Sequence, residues 1–114
     1  KPLDIEATVD LDEVVVCPPI VQEVLQGMRE TSAFRMAKQS MLAFPIVESP
    51  MRIDVWLEAA ELYRTARGAG ITIRSSTDCL IAVCALRHDL QVLHRDRDYD
   101  RIASVTPLRV RSTP

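Results

Sequence analysis

Apolar positions along this chain switch between two periods, and the switches mark its elements. Val14-Val15-Val16 is a β-branched run that predicts a short strand. Pro18-Pro19 opens a helix, because proline suits a first turn whose amides lack partners anyway. On that helix Ile20, Val21, Val24, Leu25 and Met28 form one stripe, and Gly27 with the charges after it ends the pattern. A second helix is expected over 31–43, through Phe34, Met36, Ala37, Met41 and Leu42. Phe44-Pro45-Ile46-Val47 reads as a connector. After Ser49 and Pro50 the longest helix is predicted over 51–67, with Val55, Ala59, Leu62 and Ala66 along one side. Trp56 and Tyr63 adjoin that side, and the place of Trp56 beside an apolar face suggests core or a dimer interface rather than stacking on a base. Asp54, Glu58, Glu61 and Arg64 face water, and Gly68 and Gly70 stop the helix.

Ile71 to Arg74 is extended or loop. Ser75-Ser76-Thr77-Asp78 starts a helix whose body, Cys79 to Leu86, is apolar nearly all round, as buried helices are. Leu90 to Leu93 reads as a strand, Arg95 to Ala103 as loop and helix, and Val105 to Val110 as a last strand. Helices alternating with short apolar strands predict an α/β fold with a mainly parallel sheet. No repeat, low-complexity tract or linker interrupts the 114 residues, so one domain over 1–114 is expected.

Composition narrows the class. Hydrophobic residues at 47% and charged residues at 26% suit a water-soluble globular protein. No apolar run approaches the roughly 20 residues of a bilayer span, and no signal pattern is present, so a cytoplasmic protein free of membrane is expected. Lys1 in place of Met points to a start that has been cut or processed. Cys17, Cys79 and Cys84 are an odd number without a Cys-x-x-Cys pair, which predicts reduced, buried thiols. The net charge of −2 excludes nucleic-acid binding by bulk charge. Attraction to RNA would have to come from local arginines and a bound cation.

Three acids stand where a structural acid is costly or oddly placed. Glu23 flanks the stripe of a short apolar helix, Asp78 begins a buried helix, and Asp96 directly follows an apolar strand. Each has a plain alternative. Glu23 suits a solvated flank, Ser75-x-x-Asp78 matches a capping box, and Asp96 suits a helix cap. Asp98 and Asp100 read equally as a solvated acidic turn. Together they say more, because loops at the carboxyl ends of parallel strands converge on one crevice, where Asp78 and Asp96 would both lie. Carboxylates gathered there repel one another and either bind protons or take up a hard cation such as Mg²⁺. Such a cluster suits the activation of water against a phosphodiester.

Three passages resemble the PIN-domain ribonucleases, especially the VapC toxins of bacterial toxin–antitoxin pairs. They are Cys17-Pro18-Pro19-Ile20-Val21-Gln22-Glu23-Val24-Leu25-Gln26-Gly27, Thr77-Asp78-Cys79-Leu80-Ile81-Ala82-Val83-Cys84-Ala85 and His94-Arg95-Asp96-Arg97-Asp98-Tyr99-Asp100-Arg101-Ile102-Ala103. In order and spacing they span nearly the whole chain. The resemblance implies a PIN-like three-layer sandwich, a central parallel sheet flanked by helices. It implies that Glu23, Asp78 and Asp96 are catalytic, metal-binding acids with Asp98 as an auxiliary ligand, and that Mg²⁺ or Mn²⁺ is the cofactor. It further implies RNA cleavage, a homodimer and a VapB-type antitoxin that covers the site. Tyr99 stands where the family often has Phe.

One departure from the family is expected to matter. The family begins with a central strand ending in aspartate, and nothing before Glu23 matches it. Asp4, Asp10 and Asp12 lack a preceding hydrophobic strand. The expectation is therefore a strand removed, present as a separate fragment, or degenerate. The rival reading is a catalytically incomplete PIN-like module that holds antitoxin or RNA without cutting. Arg74, Arg87, Arg95 and Arg97 are candidate phosphate contacts, Arg95 and Arg97 foremost, although scattered arginines more often serve as surface solubilisers. His88 and His94 have no metal-ligand spacing with a cysteine and no serine partner, which speaks against nucleophilic catalysis.

Overall fold

The computed structural model describes residues 10–113, so Asp4 lies outside the described residues. Two compact units divide these residues, 10–51 and 52–113.

In the first unit Leu11–Glu13 forms a 3-10 turn, closed by the Asp10 carboxylate accepting the Asp12 amide at 2.9 Å. Asp10 thus has a local capping role. Val16 and Ile46 form a parallel bridge: Val16 N–H donates to Pro45 C=O and Val47 N–H to Val16 C=O, both at 2.9 Å. The segment read as a connector therefore carries strand pairing, too short to show a period in the sequence. Helix α1, Pro18–Gln26, starts after Cys17 with proline in its first turn. Met28 falls beyond its end. Helix α2, Thr31–Ala43, has no buried residue, and Met36 and Leu42 of its expected stripe are exposed.

The second unit holds α3 (Ile53–Gly68), α4 (Ser76–Arg87), β1 (Gln91–His94), α5 (Arg97–Val105) and β2 (Arg109–Ser112). Val55, Ala59, Leu62 and Ala66 are all buried, as the stripe on α3 requires. Trp56, beside that stripe, is 49% exposed and does not belong to the core. The α3 chain ends through Gly70, whose φ of +83° is a left-handed turn conformation that costs glycine little. Helix α4 packs on α3 and buries every residue from Asp78 to Ala85.

Strands β1 and β2 are parallel, in register Gln91 with Arg109 through His94 with Ser112, and α5 crosses between them. The last strand starts later than the sequence suggests. Thr106 Oγ1 donates to Ile102 C=O at 2.8 Å and accepts the Leu108 amide at 3.2 Å, turning the chain out of α5. Pro107 has no amide for a ladder, so pairing waits until Arg109. Among the described residues no helix is long and apolar enough to cross a membrane.

Candidate metal centre

The N-termini of α4 and α5 and the carboxyl end of β1 come to the same place. Asp96 follows β1 and caps α5, its Oδ1 accepting the Asp98 amide at 2.9 Å. Asp98 lies in the first turn of α5 and Asp78 in the first turn of α4. A carboxylate is favoured at both turns by the unpaired amides and the helix macrodipole. Asp78, Asp96 and Asp98 each present a carboxylate oxygen, and these atoms lie within 4.8 Å of one another. Asp78 and Asp98 are buried, 6% and 1% exposed, while Asp96 is the half-buried member that opens to water.

Burying carboxylates is costly unless other groups compensate. Arg74 does so for two of them: its backbone amide donates to Asp98 Oδ2 at 3.1 Å, its Nε to the same oxygen at 3.4 Å and its Nη2 to Asp96 Oδ1 at 3.2 Å. Arg101 Nη1 reaches Asp98 Oδ1 at 3.4 Å. The charge on Asp98, and then that on Asp96, raises the Arg74 pKa, so its guanidinium stays charged. Asp78 is held differently, by the Tyr99 hydroxyl donating to its Oδ1 at 3.0 Å. Around Cys79, burial first and the charges of Asp78 and Asp98 second push the thiol up to about 11. That thiol therefore senses a negative site and remains protonated.

Behind the acids lies His94, 3% exposed at the end of β1. Its Nδ1 accepts the Asp96 amide at 3.1 Å, which places the ring proton on Nε2 when the ring is neutral. Nε2 is 3.2 Å from Asp100 Oδ1 but off the N–H direction, so that contact is electrostatic and not a hydrogen bond. The ring tilts against Tyr99 with centroids 5.4 Å apart.

Both readings of Asp96 hold at once, since it caps a helix and belongs to the cluster. The capping box does not form, because Ser75 makes no side-chain cap hydrogen bond and Asp78 turns inward to Tyr99. Of the two acids read as a solvated turn, Asp100 is exposed, while Asp98 is the most enclosed acid among the described residues. Glu23 lies exposed on α1, in the first unit. Arg95 and Arg97 are exposed on either side of Asp96. Arg87 pairs with Glu58 at 2.9 Å. Cys17, Cys79 and Cys84 form no disulfide and are buried, as small hydrophobes. Sequence reasoning gave no part to His94, to the Tyr99 hydroxyl or to the pairing of Arg74 with the acids. The signal for the first two was an aromatic pair five residues apart around Asp96 and Asp98; for Arg74 there was none.

The PIN domain family model matches residues 3–105. The solved structure described as "Structure of FitAB bound to IR36 DNA fragment" shares the fold, with a TM-score of 0.68 at 18% identity, over 94% of this chain and 78% of that one. Ribonuclease VapC11 of Mycobacterium tuberculosis is 38% identical over 99 residues, 87% of this chain and 73% of the relative. VapC ribonuclease Mb1587 of Mycobacterium bovis matches to the same extent. Ribonuclease VapC17 of Mycobacterium tuberculosis is 34% identical over 103 residues, 89% of this chain and 76% of the relative. The chain belongs to the PIN-domain family, among its VapC-type ribonucleases.

Proposed function

We propose that this protein is an endoribonuclease toxin that cuts RNA phosphodiester bonds with Mg²⁺ or Mn²⁺ and is neutralised by a cognate VapB-type antitoxin. The observation that carries the reading is the convergence of Asp78, Asp96 and Asp98 at the carboxyl end of β1, in a chain whose relatives are named ribonucleases. An all-carboxylate donor set suits a hard divalent cation that keeps several waters. Asp78, Asp96 and Asp98 would hold it, with Glu23 joining them on the strength of the family pattern. A bound cation supplies an acidified water and spreads the charge that develops on the phosphoryl oxygens.

The chain's own residues prepare the acids for that task. Tyr99 fixes one oxygen of Asp78, and His94 and the Asp98 amide fix the turn at Asp96. Arg95 and Arg97 flank that turn on the surface, suitably placed to meet phosphates of the RNA. A single family match over residues 3–105 supports one PIN-like domain. Homodimerisation is supported by Ile53, Trp56 and Leu57 of α3, which share one helix face and are 68%, 49% and 57% exposed. The cytoplasm suits both an RNA target and buried reduced thiols.

The test is RNA cleavage with added Mg²⁺ or Mn²⁺, with and without the antitoxin, by wild type, Asp78→Asn and Asp96→Asn. Each variant should fold and lose activity by about a hundredfold or more, on the scale of lost charge stabilisation at a reacting phosphate. The antitoxin should abolish cleavage by wild type. Full activity in both variants would sink the assignment of these acids to the reaction, and binding of RNA or antitoxin without any cleavage by wild type would favour the non-cutting module.

A further inference from the structure

We propose that Arg74 exchanges partners during the reaction cycle: its guanidinium is the counter-cation of Asp96 and Asp98 in the metal-free protein, and it engages a phosphate of the bound RNA once a divalent cation takes those oxygens. The inference deepens the metal-dependent reading above and rests on it. Its basis is competition for the same carboxylates. Arg74 Nη2 sits 3.2 Å from Asp96 Oδ1 and Nε sits 3.4 Å from Asp98 Oδ2, on two of the three carboxylates that a cation would need. A guanidinium cannot share those positions with a metal ion and its waters.

The local build lets the side chain leave while the acids stay in place. Asp98 Oδ2 keeps the backbone amide of Arg74 at 3.1 Å, and Oδ1 keeps Arg101 at 3.4 Å. Asp96 Oδ1 keeps the Asp98 amide at 2.9 Å. Ile73, 3% exposed, anchors the backbone next to the moving side chain. The Arg74 side chain itself is 70% exposed, and ion pairs so exposed hold weakly. Once released, its planar fork lies at the rim of the site, where a scissile phosphate would arrive, and it matches a phosphate in shape and charge.

Two measurements on the whole protein test the exchange. In Mn²⁺ titrations followed by the electron paramagnetic resonance of the free ion, Arg74→Ala should bind Mn²⁺ about two- to fivefold tighter than wild type, the scale of one exposed ion pair. With Ca²⁺ holding a short mixed-sequence single-stranded RNA uncut, Arg74→Ala should bind it more weakly. The slope of log affinity against log salt should fall by about 0.7, the value for one lost phosphate contact on a single strand, and Arg74→Lys should retain the slope. Mn²⁺ affinity in Arg74→Ala equal to or below that of wild type overturns the exchange. So does an RNA slope that is unchanged, or RNA that neither protein binds. Asp96→Asn separates the two levels: if it binds Mn²⁺ as wild type does, the metal site itself falls and the exchange falls with it.

Discussion

The Tyr99 hydroxyl and the His94 ring are the side chains that turn a set of acids into a site of fixed shape. Tyr99 donates to Asp78 Oδ1 at 3.0 Å in a buried setting, so removing the donor takes a hydrogen bond from a buried carboxylate. Phe fits the same space, which makes Tyr99→Phe a clean deletion of one hydroxyl. It should lower unfolding free energy by about 1–2 kcal/mol in urea titrations and weaken Mn²⁺ binding through a looser Asp78. A Phe variant with wild-type stability and affinity would show that the hydroxyl is dispensable. His94 contributes through its lone pair, since Nδ1 accepts the Asp96 amide and so shapes the turn on which Asp96 stands.

Helices α4 and α5 share a design in which the first turn carries an acid of the cluster and the body carries the core. In α4 burial runs without a break from Asp78 to Ala85, and in α5 Asp98, Tyr99 and Ile102 are buried while Arg97, Asp100 and Arg101 face water. The dipoles of both helices favour negative charge where the acids meet. Helix α3 divides its faces differently. Val55, Ala59, Leu62 and Ala66 fill the core, and Ile53, Trp56 and Leu57 leave an apolar face in water. If that face joins two copies, the pair Trp56→Glu and Leu57→Glu should convert a dimer to a monomer in light scattering, with helical circular dichroism unchanged. A wild-type protein that is monomeric at the same concentration would remove the basis of the dimer.

Across the molecule the charges are unevenly distributed. Arginines and lysines number 14 against 16 acids, so the formal charge is small, yet Asp78, Asp96 and Asp98 meet at one place, where α4, β1 and α5 come together. Cys79 reports that field through a thiol pushed up from 9.0 to about 11 by burial and by Asp78 and Asp98. Because the folded state holds this proton more tightly than the unfolded chain, the contribution is complete below about pH 9 and is lost as pH rises towards about 11. Denaturation midpoints should therefore fall between about pH 8 and about pH 10.5, and less steeply in Cys79→Ala than in wild type. Parallel slopes in the two proteins would show that Cys79 is not the linked group.

Periodicity alone determined most of the elements, because burial on one face leaves a repeat that a linear reading can count. The stripe on α3, the all-apolar body of α4, and the strand and helix around Asp96 all stand where that repeat placed them. The α/β class followed from their alternation. The acids at Asp78 and Asp96 were legible for a related reason: a carboxylate in the first turn of a buried helix, or at the end of an apolar strand, breaks the pattern and needs a cause. Pairings with no period of their own needed the folded chain. Val16 meets Ile46 across 30 residues through a bridge of one residue on each side, and Thr106 with Pro107 delays β2 through hydrogen bonds invisible in hydropathy. The compensation of the acids was hidden in the same way, since Arg74 lies 22 residues from Asp96 and Tyr99 lies 21 from Asp78. Their side chains meet only because α4, β1 and α5 bring distant segments to one end of the sheet, and charge and hydrogen bonding act over ångströms in space whatever the separation along the chain.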